Sequence, residues 1–412
     1  MQNGFDLRDP PDDFYDDPYP HYQRLRLTEP VKVAADGSVL LTRYVDVAAM
    51  YRNPAASSDK QQEFLPKYGD TPLYEHHTTS LVFNDAPVHP RVRRPLLGAL
   101  NQRAIARMEQ GVQALVDRLL DSMQAKAAKG GSAAGIDLID DFAAAIPIDV
   151  IGNLLAIPLQ ARGPLRRWSL AILAALEPVP TPAMHEAGNR AVVEFMAYLQ
   201  TLVADRRASP LDPAEDVLTR LLQPAADAEP LTEAQLLHNC IFLLNAGHET
   251  TTNLIGNGVH SLLTHPDQLQ RLVQSPDLIA PAIEEMLRYQ SPLQLNNRRL
   301  LEPSDIGGIT FPAGTLVTLC IGAANRDPAQ FPDPDRFDIG RRPNRHLAFG
   351  HGDHACAGLN VARMEARIAV SRLLARFPGV RLAGNPVRDR RVRFRGFSAL
   401  PVILSFQEPA AP

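Results

Sequence analysis

One cysteine in a glycine-punctuated loop carries the clearest chemical signal in the chain. The loop runs from Asn344 through Phe349-Gly350-His351-Gly352-Asp353-His354-Ala355-Cys356 and turns into a helix that continues past Glu365. Free N–H groups at a helix N-terminus stabilise negative charge and favour a thiolate. A single thiolate suits haem iron, whereas zinc and iron–sulfur clusters usually take several cysteines. Phe349 is spaced to pack beside a macrocycle, and Gly350, Gly352 and Gly358 let backbone pass close to one. Two other readings stand beside this one: a buried structural cysteine, or a zinc site built from His351, His354 and Cys356.

A second patch, Asn245-Ala246-Gly247-His248-Glu249-Thr250-Thr251-Thr252, lies in the middle of a long helical pattern. Thr232-x-x-Gln235 is a capping box that opens the helix, and His265-Pro266 closes it. Roughly 30 residues at ~1.5 Å each would span ~45 Å. Gly247 and the threonines are weak helix formers, so local propensity opposes the helix there. The Thr250 hydroxyl can bond the Ala246 carbonyl four residues back, bending the helix and leaving room beside it. A hydroxyl with a carboxylate behind it can relay protons from solvent; the same pattern also fits a plain kink.

Two charged pairs share helix faces. His89 and Arg93, four apart on a helix opening at Pro90, could clasp a carboxylate or lie solvated. Glu285 and Arg288 are three apart. Such a pair contributes under ~1 kcal/mol if exposed, whereas breaking it costs ~3–5 kcal/mol if it is buried.

These groups need a scaffold, and the composition supplies one. The chain has 412 residues, 45% hydrophobic and 21% charged, with a net charge of −4. This is the profile of a soluble globular enzyme with a core of good size, and it argues against nucleic acid or an anionic membrane as partner. No repeat or linker divides the chain, so residues 1–412 are expected to form a single large domain. No signal peptide and no transmembrane run is visible, which leads to an expected cytoplasmic location. Cys240 and Cys320 lie far from Cys356 in sequence and read as small buried residues.

Along the chain, periodicity predicts helices around His21–Leu27, Val45–Arg52, Gly111–Lys126 and Phe142–Leu155, with a short strand at Val39–Thr42. Asp59–Thr79 reads as a long irregular loop. Pro158–Gly188 contains five prolines and the only tryptophan, Trp168, and its turns cannot be placed. Arg391–Arg395 alternates with period two, which predicts a half-exposed strand with solvated arginines.

The Cys356 loop, with its Phe-Gly-x-Gly-x-His-x-Cys-x-Gly pattern followed by Ala362-Arg363, resembles the haem-binding signature of the cytochromes P-450, bacterial soluble type. Val361 stands where leucine is usual. The resemblance extends over nearly the whole chain through four motifs in the expected order. It implies a mainly α-helical fold with a smaller β portion, one b-type haem bound through Cys356, and Ala246 to Thr251 as the oxygen-binding groove. Glu249 and Thr250 then take the acid–alcohol positions of catalysis. His89, Arg93, Arg298 and His354 correspond to contacts of the haem propionates, with Arg299 a near miss, and Phe349, Gly350 and Ala246 border the macrocycle. Glu285 and Arg288 match a buried structural pair joined by Arg336 of the Pro334–Phe337 segment. Asp59–Thr79 corresponds to a loop over the pocket. Phe242, Asn245, Leu295, Asn296 and Phe397 fall at pocket positions, and polar Asn245, with Asn296, is expected to hydrogen-bond the substrate.

The implied activity is a monooxygenase reaction on a small organic substrate, using O₂ and two electrons. The chain shows no reductase domain and neither a dinucleotide nor a flavin fingerprint. A ferredoxin and its reductase, fed by NAD(P)H, are therefore the expected donors. Arg341, Arg342, Arg345 and Arg363 could dock an acidic ferredoxin. A monomer is expected. Oxidative coupling, desaturation and peroxide-driven oxidation are the neighbouring chemistries, and a haem sensor or zinc protein the distant ones.

Overall fold

Thr232 and Gln235 form the capping box that the sequence predicts. The Thr232 hydroxyl accepts the Gln235 N–H at 3.2 Å, and Gln235 Oε1 accepts the Thr232 N–H at 3.1 Å. The helix they open runs Glu233–Leu263 and is buried along most of its length. A helix buried on nearly all sides, by polar as well as apolar residues, needs neighbours all round it. Helices Ala145–Leu154, Leu165–Ala174, Pro182–Ala208, Ile279–Tyr289 and Leu359–Arg376 surround it. Glycine permits the closest approaches, since a Cβ on Gly256 would stand 2.6 Å from the Ile139 side chain.

This computed structural model describes residues 5–130, 135–223 and 229–405. Its main sheet has the spatial order Val31–Val33, Val39–Leu41, Leu316–Cys320, Leu295–Leu300, Ala56–Ser57. Val39–Leu41 and Leu316–Cys320 run parallel, and the other pairs antiparallel. Strand alternation gives the sheet two apolar faces. Val39, Leu41, Val317 and Leu319 pack with Val47, Met50 and Tyr51. Leu40, Leu295 and Cys320 pack on the other side with Phe14, Tyr19 and Tyr22. The mainly helical fold with a smaller β portion is thus as read.

Two local expectations are corrected, and one stretch left open by the sequence is placed. Asp59–Thr79 is not an irregular loop: helices Gln61–Tyr68 and Pro72–Thr79 occupy it, the second capped by the Thr71 hydroxyl. Pro66 lies inside the first helix and masked its pattern. Arg391–Arg395 is not a strand with solvated arginines, because its guanidinium groups turn inward to bond distant elements. The proline-rich Pro158–Gly188 stretch resolves into helix Leu165–Ala174 and the start of Pro182–Ala208, with Trp168 buried against Phe195.

Candidate haem-thiolate active site

On the central helix, Thr250 Oγ1 donates to the Ala246 carbonyl at 2.7 Å. Phe242, Ala246 and Thr250 recur every four residues and so share one face. Ala246 is exposed and Phe242 and Thr250 are half-buried, in contrast to the buried residues around them. One side of the helix therefore opens at the Thr250 turn.

Glu249, on the adjoining buried face, is 3% exposed. Burial pushes its carboxyl up to about 7, against the pull of Arg391. Arg391 Nη1 donates to Glu249 Oε1, and Arg391 Nε donates to Glu177 Oε1 at 3.1 Å. An acid held near neutrality beside a hydroxyl can take up and release protons at physiological pH. Neither Arg391 nor Glu177 was visible as a partner in the sequence, since 142 and 214 residues separate the contacts.

The Cys356 loop is folded by its glycines. Gly350 and Gly352 take φ of +65° and +73°, which L side chains rarely adopt. The Cys356 N–H donates to the Phe349 carbonyl at 2.9 Å. Burial raises the thiol, while the Gly358 N–H and the Arg93 and Arg363 charges pull it down. The Arg363 guanidinium lies over the Phe349 ring at 4.8 Å.

Beneath the loop, Glu285 and Arg288 form two bonds of 2.8 Å and are fully buried. Arg288 also donates to the carbonyls of Asn325 and Pro334 at 2.9 and 2.8 Å, and Asn344 donates to Glu285 at 3.1 Å. The arginine that completes this network is Arg341, 3.2 Å from Glu285, and not Arg336 as expected. Arg336 has an exposed side chain and supplies only its carbonyl, at 3.2 Å from Arg288, because the Asp333–Arg336 turn faces it outward.

The donor set beside the loop fits a dicarboxylate macrocycle. His89 is buried, its Nε2 has no hydrogen-bond partner, and its ring centroid lies 3.9 Å from that of His354. Burial, then the neighbouring His354 and Arg93, lowers His89 to about 4. Arg93 donates to the Ala355 carbonyl. Arg298 is buried over the Tyr51 ring at 5.3 Å and forms no ion pair among the described residues. Arg299 donates to the Gly314 carbonyl instead. A buried imidazole nitrogen without a partner and a buried guanidinium without a counter-charge both favour a nearby anion. Arg93, by contrast, is already bonded to Ala355, and His354 Nε2 lies 3.5 Å from Asp85 Oδ1. A dicarboxylate ring seated beside this cluster would supply that charge. Among the described residues no group of three or more His, Cys, Asp or Glu is arranged to hold a metal ion, so the zinc reading finds no site.

The expected pocket residues separate. Asn245 is buried, with Nδ2 at 3.3 Å from His76 Nε2 and Oδ1 unpartnered. Leu295 packs on the far side of the sheet with Tyr22 and Cys320, because strand alternation points it away. Asn296 bonds the Tyr51 hydroxyl at 3.4 Å and Arg298 at 3.3 Å, and not the Thr250 turn. Phe397 stacks on His260 at 4.7 Å and under Arg388 at 3.6 Å, some ten residues along the helix from Thr250, so it does not reach the groove. Phe394, three residues earlier, lies in the same core as Phe397 and stands beside Arg391.

A long central helix with an acid–alcohol pair, a lone cysteine in a glycine loop and an anion-seeking cluster beside it together define a haem-thiolate oxygenase. The model of the family described as Cytochrome P450 matches residues 166–392. Cytochrome P450 107B1 of Saccharopolyspora erythraea is 38% identical over 410 residues, covering 95% of this chain and 96% of that one. The biotin biosynthesis cytochrome P450 of Bacillus subtilis is 37% identical, covering 95% and 97%. Among solved structures, P450BioI bound to an acylated acyl carrier protein superposes with a TM-score of 0.89 at 36% identity, covering 95% of this chain and 99% of that one. Epothilone D-bound P450epoK gives 0.88 at 32%, covering 98% and 100%. The chain belongs to the cytochrome P450 family. It is a monooxygenase, and its cofactor is haem b.

Proposed function

We propose that this protein oxidises a small organic substrate held against the Thr250 groove, with Cys356 as the residue that would hold the haem iron. Thiolate-bound haem supplies the activation of O₂ for transfer of one oxygen atom to the substrate. The observation that carries the reading is the Glu249–Thr250 pair on the open turn of the central helix. Glu249 exchanges protons with solvent, and the Thr250 hydroxyl presents one to the groove. Ala246 leaves space for a small diatomic ligand. His89, Arg93, Arg298 and His354 hold the propionates, and the Glu285–Arg288–Arg341 network fixes the loop that carries Cys356. Such a relay fits a reductive enzyme better than a peroxide user, whose oxidant arrives with its own protons.

Electrons come from a separate ferredoxin and reductase, fed by NAD(P)H, acting on one domain spanning the chain. Arg342 and Arg345 are exposed and available to an acidic partner, whereas Arg341 is bound to Glu285 and Arg363 to Glu284. The protein acts as a monomer in the cytoplasm; no helix among the described residues is long and apolar enough to cross a membrane. Phe242 and Asn245 contact the substrate, Asn245 through its free Oδ1. The names of relatives include a polyketide biosynthesis P450 and a vitamin D(3) 25-hydroxylase, which place complex biosynthetic molecules among the substrates to screen.

The test is the absorption spectrum of the reduced protein under carbon monoxide, beside that of Cys356→Ser. A strongly red-shifted Soret band lost in the variant supports thiolate ligation. A band unaffected by the variant rules Cys356 out as the ligand. Turnover with ferredoxin and reductase, absent with NAD(P)H alone, supports the electron route.

A further inference from the structure

Three consecutive carbonyls, those of Ala175, Leu176 and Glu177, follow helix Leu165–Ala174, and each accepts a bond from a distant side chain. Tyr68 donates its hydroxyl to Ala175 at 2.7 Å, Arg393 Nε donates to Leu176 at 3.0 Å, and Lys67 Nζ donates to Glu177 at 2.7 Å. These bonds draw helix Gln61–Tyr68, the 175–177 turn and the C-terminal loop to one corner. His77 lies there, 2% exposed, against the rings of Phe64, Tyr68 and Phe83.

The corner adjoins the Thr250 groove from two directions. Two residues before Arg393, Arg391 reaches Glu249. One residue before His77, His76 reaches Asn245, a turn before Glu249 on the central helix.

The charge at this corner does not cancel. Glu177 is already committed, its Oε1 to Arg391 and its Oε2 to the N–H groups of Val392 and Arg393. Glu63 pairs with Lys60 at 3.0 Å. Among the described residues no carboxylate forms an ion pair with Lys67 or Arg393. Both cations keep donors in reserve. Lys67 uses one of its three N–H bonds. Arg393 spends Nε on Leu176 and Nη2 on Asn297 Oδ1 at 2.7 Å, leaving Nη1 without an acceptor among the described residues. His77 Nε2 is buried and has no hydrogen-bond partner. Burial lowers Lys67 to about 8, with Arg393 the next cause, and it keeps His77 neutral.

Two partly buried cations that no carboxylate pairs among the described residues sit beside an orphaned imidazole nitrogen, with Glu63 and Glu177 acting on Lys67 only at longer range. Such an arrangement favours an added anion. We propose that Lys67, Arg393 and His77 form a carboxylate-binding subsite, and that the substrate is an organic acid anchored there while its apolar body extends to the Thr250 groove. The proposal rests on the reading of that groove as the place of oxidation. Charge-assisted bonds to a carboxylate are the strong ones, and an ester or alcohol of the same length cannot reproduce them.

The test is calorimetric titration of the haem-loaded protein with dodecanoate and with methyl dodecanoate, for the unaltered chain and for Lys67→Gln and Arg393→Gln. The acid is expected to bind at least about tenfold tighter than the ester, with that preference reduced to within about twofold in each variant. Equal affinities in the unaltered protein, including no binding of either up to about 1 mM, overturn the subsite. So does a preference that survives Lys67→Gln, the half-buried position least coupled to folding. The carbon monoxide spectrum of each sample reports the haem site separately. A normal band without acid preference overturns the subsite alone, and a missing band in the unaltered protein overturns the haem-thiolate reading whatever the calorimetry shows.

Discussion

Replacing Glu249 by glutamine separates the charge of that carboxyl from its shape. Burial raises the group from 4.5 to about 7 even with Arg391 beside it. A carboxyl that holds its proton more tightly folded than unfolded stabilises the fold at low pH. That contribution is fully present below the unfolded value, declines as pH rises and is gone above the folded value. At ~1.4 kcal/mol per unit, the interval from 4.5 to about 7 amounts to ~3 kcal/mol. Glutamine resembles the protonated acid at every pH, so E249Q lacks this slope. Urea unfolding followed by circular dichroism should show the stability difference moving toward the variant by ~3 kcal/mol between about pH 4.5 and about pH 8. Removing one partner of an ion pair would then leave the protein relatively more stable in alkaline buffer. A flat difference, or one that moves toward the unaltered chain, would refute the reasoning: the attraction of Arg391 would outweigh burial, and Glu249 would be ionised throughout. In the same variant product formation should slow while substrate affinity stays unchanged, because the amide cannot release a proton.

Glu285→Ala strands the Arg288 guanidinium in a fully buried position. It should cost ~3–5 kcal/mol in urea unfolding and lower haem content, and a loss under ~1 kcal/mol would contradict the network. Gly352→Ala places a Cβ 2.8 Å from the Tyr51 carbonyl oxygen at φ +73°. A cost of ~1–3 kcal/mol and poorer haem retention on gel filtration are expected. Asn245→Leu removes a buried Oδ1 that has no donor. The same change strands buried His76 Nε2, so a cost of ~1–3 kcal/mol is expected while affinity for polar substrates falls, and unchanged affinity and product pattern would remove Asn245 from substrate recognition.

Local rules carried much of this fold and part of its site. The Thr232–Gln235 box, the Thr250–Ala246 bond and the Glu285–Arg288 pair each join residues three or four apart, and each was legible because helix geometry sets such contacts directly. Legibility failed where partners lie far apart in sequence. Arg391, Arg393 and Arg395 looked like the exposed side of a strand, yet their acceptors sit on the 175–177 turn, the central helix, the sheet and the N-terminal segment. No period within the segment encodes those acceptors. Leu295 and Phe397 failed for a related reason: their nearness to the groove was inferred along the chain, whereas strand alternation and the turn after Arg395 decide which way they face. Arg336 failed by five residues, since Arg341 follows a turn that the pattern did not reveal.

The bond between Arg391 and Glu249 also orders events during synthesis. The two residues are 142 positions apart, so at 5–20 residues per second the ribosome adds the arginine roughly 7–30 s after the glutamate. Through that interval the central helix can collapse against its neighbours only with its acid uncompensated, and protonation is the inexpensive way to do so. Until then the helix carries a neutral acid, and the late guanidinium lowers the cost of ionising it while burial still holds the carboxyl up to about 7. Capture of the acid by Arg391 is therefore a late step in completing the fold, and chains ending before and after residue 391, once released from the ribosome, would differ in how readily Glu249 ionises.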